Sequence, residues 1–213
     1  MDKLFELKYI FFDMGYTLVN EERVWERRCK EQAEKSEARK LGLTSEDIYN
    51  EIIRTSLAYQ PQYRTVVNKY GFSDVAPYRW ELEYLYDDAV KVLEYLSEKY
   101  TLGIIANQAD GLQARLKALQ IEHFFQTVIS SWDYKCMKPD KRIFQIALRQ
   151  AGCKAADAMM IGDRLDNDIY PAKSLGMKTV WIKQGFGGIQ KAVNGDYEPD
   201  YEINSLSELL NIL

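Results

Sequence analysis

The sequence predicts an α/β protein, a parallel sheet wrapped by helices, with a small all-helical insertion near its start. Three observations carry this. A β-branched and aromatic run at 8–12 stands alone as a buried strand. The stretch 21–86 shows helical periodicities and no strand pattern. From residue 87 onward, short apolar strands alternate with amphipathic helices across short connections, which is the signature of a parallel sheet.

The first strand, Lys8-Tyr-Ile-Phe-Phe12, stops at Asp13, and Met14-Gly15-Tyr16-Thr17-Leu18 must turn. Glu21–Lys40 is highly charged with a thin apolar set (Val24, Trp25, Cys29, Ala33), one face of an exposed helix that Gly42 stops. Thr44-Ser-Glu-Asp47 reads as a capping box opening a helix with Ile48, Ile52 and Leu57 inward. Pro61 starts another helix and Gly71 ends it. Asp87 and Asp88 cap a helix to Tyr100. Strands follow at 102–106, 127–129, 158–161 and 178–182, with helices at 110–119, 140–151 and 167–175 and a terminal helix at 205–213. The insertion is 20–88, and the core is 1–19 joined to 89–213.

Composition bounds the function. With 213 residues, 46% hydrophobic and 28% charged, the chain can bury a full core without a disulfide or metal staple. No apolar run approaches the roughly 20 residues that span a bilayer, so no membrane role is expected. Asp2 and Glu6 do not suit a leader peptide. Cys29, Cys136 and Cys153 are too scattered for a disulfide framework, and a reducing cytoplasm is the default. Net charge −4 argues against nucleic acid as a partner. A single histidine, His123, excludes histidine-rich metal sites. Oligomeric state is not legible.

In open parallel sheets ligands bind beyond the carboxyl ends of the strands. The residues there are Asp13, Ala106-Asn107, Ser130-Ser131 and Gly162-Asp163. Asp13 reads either as a loop cap or as a nucleophile and metal ligand. Asp163, Asp166 and Asp168 crowd three carboxylates into six residues, an arrangement a hard divalent ion relieves. A helix N-terminus rich in acids is the alternative, and Asp166 fits it. Lys138, before Pro139 and the cap residue Asp140, sits on a rigid loop where it can neutralise a phosphate.

Asp13-x-x-x-Thr17-Leu18, Lys138-Pro139-Asp140 and Gly162-Asp163-x-x-x-x-Asp168, in this order on an alternating α/β chain, resemble the haloacid dehalogenase superfamily. The resemblance covers essentially the whole chain. It implies a Rossmann-like three-layer core with the helical insertion as a cap, and a phosphohydrolase acting on a small phosphorylated metabolite. Asp13 would attack phosphorus and form an aspartyl-phosphate. Mg²⁺ would be held by Asp13, the Gly15 carbonyl and Asp163. Lys138, Asn107 and the backbone at Ala106 would bind phosphate. Asp168, Asn167 and Thr17 would support these groups, with Asp168 bonded to metal-bound water or to Lys138.

Two positions depart from the pattern. Gly15 stands where the family's phosphatases carry the aspartate that protonates the leaving group, and Ala106 stands where they carry Ser or Thr. A substrate with a good leaving group needs little protonation. Tyr16, Glu21 and Glu22 are the nearby candidates for a substitute acid, with Tyr16 expected to pack under the cap. The alternatives are a weakened binding or regulatory protein on the same fold, and a dehalogenase, which needs no metal. The seven tyrosines and two tryptophans of 20–88 read as insertion core. Arg23, Arg27, Arg28, Arg64 and Arg79 are candidates to face the cleft. Gln184-Gly-Phe-Gly-Gly188 reads as a flexible connection near the site, and His123 as structural.

Overall fold

The computed structural model describes residues 7–213. Asp2 and Glu6, used above to argue against a leader, lie outside the described residues, as does the rest of 1–6. The core strands are β1 (Tyr9–Phe12), β4 (Thr101–Ala106), β5 (Phe125–Ser130), β6 (Ala158–Gly162), β7 (Lys178–Ile182) and β8 (Tyr201–Ile203). They form one six-stranded sheet in the order β5-β4-β1-β6-β7-β8, with all pairings parallel. Strand order reverses at β1, so the crevice at its carboxyl end is where a ligand site belongs.

β1 is central, and every one of its residues is buried. Alternate side chains serve opposite faces. Ile10 and Phe12 join the cluster under α5 (Ala89–Ser97), α6 (Leu112–Ala118) and the C-terminal segment. Tyr9 and Phe11 join the cluster under α8 (Lys141–Ala151) and α9 (Tyr170–Lys173). Helices therefore cover both faces, giving three layers. Each fully buried side chain of this size contributes roughly 1.5–3 kcal/mol.

The insertion comprises α1 (Glu22–Ala33), α2 (Ser36–Lys40), α3 (Ser45–Leu57) and α4 (Gln62–Tyr70). Its own cluster gathers Trp25, Cys29, Ala38, Ile48, Ile52, Tyr63, Val66 and Phe72. The capping box at Thr44 is formed in both directions. Several local expectations need correction. The charged helix of 21–40 breaks after Ala33. Leu57 is exposed, because α3 ends there and turns away from the cluster. The insertion is not free of strand: β2 (Val19–Asn20) pairs antiparallel with β3 (Tyr84–Leu85), forming the stalk through which the chain leaves and re-enters the core.

Elsewhere, Asp88 does not cap α5 with its side chain, which accepts from the Ser207 amide, and α5 ends at Ser97. A short helix, α7 (Ser131–Tyr134), follows β5 without an apolar periodicity to announce it. The segment 165–169 opens as a π-helix before α9. The terminal segment is a 3₁₀ helix, Leu206–Asn211. β8 was missed because its three residues, Tyr201-Glu-Ile203, include two exposed ones on an edge strand. No helix among the described residues is long and apolar enough to cross a membrane.

Candidate active site

Asp13 leaves the end of β1 with its amide donating to the Ile161 carbonyl of β6 (2.9 Å), which anchors it between the two central strands. The turn beyond it is tight. The Met14 carbonyl accepts from the amides of Thr17 (3.2 Å), Leu18 (2.9 Å) and Val19 (3.0 Å). Tyr16 takes a left-handed conformation (φ 53°), uncommon for an aromatic residue, and its amide donates to the Val19 carbonyl (2.7 Å).

Lys138 is brought in from the loop ahead of α8. Its amide donates to Asn107 Oδ1 (2.7 Å), and Asn107 Nδ2 donates back to its carbonyl (2.9 Å). Asp140 caps α8 by accepting from the Arg142 amide (2.9 Å). The loop is thus pinned on both sides of Pro139. The Lys138 Nζ donates to Asp13 Oδ1 (2.7 Å) and to Asp168 Oδ1 (2.6 Å). Asp168 is fully buried, and its other oxygen accepts from the Arg164 amide (3.0 Å). Asp163 follows β6 directly, and its carbonyl accepts from Trp181 Nε1 (2.6 Å).

The electrostatics follow from burial. Carboxylate oxygens of Asp13, Asp163 and Asp168 lie within 4.8 Å of one another. Burial, then Asp168 and Asp13, push the Asp163 carboxyl well above the usual range. Burial likewise raises Asp168, with Lys138 opposing. Burial works against a charged Lys138, but Asp13 and Asp168 outweigh it and raise its pKa. Three carboxylates against one ammonium leave an excess of negative charge that an oxygen-preferring divalent cation fits.

These groups open into a cavity of about 380 Å³ between core and insertion. Asp13, Gly15, Lys138, Asp163, Asn107 and Asn167 line it on the core side. Glu21, Trp25, Arg28, Gln62, Tyr78 and Trp80 line it from the stalk and the insertion. Of the arginines expected at the cleft, Arg28 is there, stacked 3.7 Å over Tyr63. Arg27 and Arg79 are bound to Glu31 instead, and Arg23 lies over Tyr84. Arg115 and Arg164 also line the cavity and were missed, since neither sits in the insertion or directly at a strand end. Arg115 pairs with Glu83, and Arg164 pairs with Asp166 through two bonds (3.0 and 2.7 Å). Asp166 thus lies in the first turn of the helical segment 165–169, as expected, and there it also pairs with Arg164.

The structure separates the other expected residues. Ala106 is fully buried in the core and does not line the cavity. Asn107 lines it, but both ends of its amide are taken by the Lys138 backbone. Thr17 is fully buried, and its hydroxyl has no hydrogen-bond partner among the described residues. The glycine-rich loop is not a free connection. Phe186 packs in the insertion's cluster, edge-on to Tyr16 and Trp25. Gly185 has φ 53°, and a Cβ there would overlap the Tyr16 ring. Ser56 donates to the Phe186 carbonyl (2.7 Å), and Gln190 donates to the Ser56 carbonyl (2.8 Å) and to Asp166 (3.0 Å). This loop is the seam between core and insertion. His123 stacks on Phe124, away from the cavity.

The three candidates for a substitute acid are told apart. Tyr16 packs under the insertion against Phe186. Glu22 accepts from Tyr49 (2.7 Å) and Tyr16 (3.4 Å) and is not part of the cavity wall. Glu21 is in the wall and buried. Burial raises its carboxyl to about 7; hydrogen bonds from Tyr78 and Trp25 oppose the rise, and the nearby Glu83 adds to it.

A three-layer sheet protein with carboxylates and a lysine at the strand-order reversal, under a helical insertion, is a recognisable class of hydrolase. The chain belongs to the haloacid dehalogenase-like hydrolase family, whose model matches residues 10–182. A glyceraldehyde 3-phosphate phosphatase of Pyrococcus furiosus is 30% identical over 97% of this chain and 93% of its own. The enzyme of that name from Methanocaldococcus jannaschii is 32% identical, covering 97% of both chains. Among solved structures, a HAD phosphatase from Thermococcus onnurineus aligns with TM-score 0.72 at 28% identity, covering 97% of each chain.

Proposed function

We propose that the chain is a magnesium-dependent phosphohydrolase of a small phosphorylated metabolite, working through an aspartyl-phosphate on Asp13. The observation that carries this is the buried Lys138 ammonium held between Asp13 (2.7 Å) and Asp168 (2.6 Å) in the cavity wall. Lys138 orients the Asp13 carboxylate and presents positive charge to phosphate oxygens. One Asp13 oxygen forms the bond to phosphorus as the bond to the leaving oxygen breaks, and water then cleaves the acyl phosphate. Asp13, Asp163 and the Gly15 carbonyl would hold Mg²⁺, with Asp168, Asn167 and Thr17 behind them. Bound there, the ion offsets charge on the transferring phosphoryl group.

The insertion 20–88 acts as the cap. Its wall of Trp25, Arg28, Tyr78 and Trp80 closes the cavity from water and limits substrates to small ones. Relatives named for glyceraldehyde 3-phosphate make that compound the first substrate to try. A cytoplasmic setting goes with this reading, supported by three cysteines that stand free. The dehalogenase alternative is disfavoured by Asp163 and Asp168, whose crowding a metal-free mechanism does not need.

The test is Mg²⁺-dependent release of phosphate from a panel of small phosphate esters, by the wild type and by Asp13→Asn. Turnover that requires Mg²⁺ and falls on the order of 10⁴-fold or more in the variant is expected. Undiminished turnover in Asp13→Asn, or haloacid hydrolysis in chelator, overturns the proposal.

A further inference from the structure

We propose that Glu21 is a catalytic residue, the proton donor and acceptor of the reaction in place of the side chain that Gly15 lacks; this rests on the phosphohydrolase reading above. The argument begins with space. A Cβ built on Gly15 would overlap the Glu21 carboxyl, lying 2.7 Å from its Cδ and 3.1 Å from Oε2. The volume that a side chain at position 15 would occupy is already filled, and a carboxyl group fills it. Position 15 is two residues beyond Asp13, and both residues line the same cavity with Glu21.

The carboxyl is also held in a fixed orientation. Glu21 is the residue at the stalk where α1 begins, and its carbonyl accepts from the Trp25 amide (3.0 Å). One turn on, Trp25 Nε1 donates to Glu21 Oε2 (2.9 Å). That leaves Oε1 as the oxygen turned toward Gly15. Tyr78, Glu83 and Arg115 surround the group: Tyr78 donates to Glu83 (2.6 Å), and Glu83 pairs with Arg115. The glycine and the glutamate form one arrangement, since a larger residue at 15 would exclude Glu21 from its place.

The step balances as follows. As Asp13 bonds to phosphorus, the bond to the substrate oxygen breaks, and that oxygen takes the Glu21 proton and leaves as an alcohol. Water then attacks the phosphoryl group and gives a proton back to Glu21. The bond to Asp13 breaks, and inorganic phosphate departs.

The experiment compares wild type, Glu21→Gln, Glu21→Ala and Gly15→Asp/Glu21→Ala with Mg²⁺ on two substrates. Glyceraldehyde 3-phosphate has a poor alkoxide leaving group; acetyl phosphate has a good one. Gln keeps an oxygen for the Trp25 bond, so a merely structural Glu21 would be replaced by it without loss. The expected result is a ~10²–10⁴-fold slower turnover of the alkyl ester by Glu21→Gln. Acetyl phosphate should still phosphorylate Asp13 at near the wild-type rate. The phosphoenzyme should then accumulate, seen as added mass on the intact protein. The double variant, which has room for its aspartate, should recover at least tenfold over Glu21→Ala. Wild-type turnover of both substrates by Glu21→Gln overturns the assignment, as does an equal loss on both without phosphoenzyme. A wild type that turns over neither substrate and forms no phosphoenzyme sinks the phosphohydrolase reading, and the assignment with it.

Discussion

The two walls of the cavity are built on different principles. On the core wall, Asp13, Asn107 and Asp163 follow strand ends, Lys138 precedes a capped helix, and Asp168 comes from the helical segment after β6; Lys138 spans Asp13 and Asp168, and Asn107 pins the Lys138 backbone. On the stalk wall, the Trp25 indole donates to Glu21, and its neighbours Tyr78 and Glu83 come from the returning segment of the stalk and Arg115 from α6. The core wall is an interlocked set of charges in which three carboxylates face one ammonium. The stalk wall places a single carboxyl where a backbone position has been left bare. Groups set at strand ends are fixed by the sheet, whereas a group on the stalk is placed by the packing of the segments that join the core to the insertion.

The sharpest way to break this contrast is to remove the lysine. Lys138→Met leaves Asp13 and Asp168 facing each other in a buried site, and a loss of about 3–5 kcal/mol is expected in denaturant unfolding at pH 7. A loss under about 1 kcal/mol would mean the core wall is not the interlocked set described. The same melt at pH 4, where carboxylates neutralise, should recover part of it.

The stalk wall carries its own pH signature. Glu21 titrates at about 7 in the folded chain against 4.5 as its ordinary value, with burial the main cause. The folded state therefore holds the proton over a window in which the unfolded chain has lost it. Stability from this group is fully present below about pH 4.5 and is lost as pH rises through about 7, on the order of 3 kcal/mol. Glu21→Gln should flatten the stability profile across that window. An unchanged profile would show that Glu21 is solvated.

Next comes the cation. Mg²⁺ at 100 times its dissociation constant should stabilise the wild type by about 2.7 kcal/mol. Asp163→Asn should abolish this response while raising the stability of the metal-free protein, because one of three crowded acids is gone. Equal stabilisation of both proteins would place the ion elsewhere. Smallest is a control far from either wall: Thr44→Ala removes the capping box of α3 and should cost about 1 kcal/mol without changing turnover.

Much of the core wall was legible because its residues fall directly after strands whose apolar runs are unmistakable. Asp13 follows Tyr9–Phe12, and Asp163 follows Ala158–Gly162. Lys138 was marked by the proline and the helix cap beside it. The stalk wall was much less so. Glu21 and Glu22 are adjacent and chemically alike, and only packing sends one to the cavity and the other to Tyr49 and Tyr16. The loop at 184–188 carries glycines that also suit a flexible connection. Their use here is close approach, letting the chain pass against Tyr16 and pack Phe186 into the insertion.

By itself the sequence determined the layered α/β architecture, the helical insertion and the residues at strand ends. Those depend on local periodicity and on where a strand must stop, which neighbouring residues dictate. Only the tertiary structure decided that the bare position at Gly15 is filled by the Glu21 carboxyl, that the Asn107 amide serves the Lys138 loop, and that Phe186 packs into the insertion's cluster. These depend on how turns and separate segments pack against one another in three dimensions, and no residue pattern along the sequence encodes that.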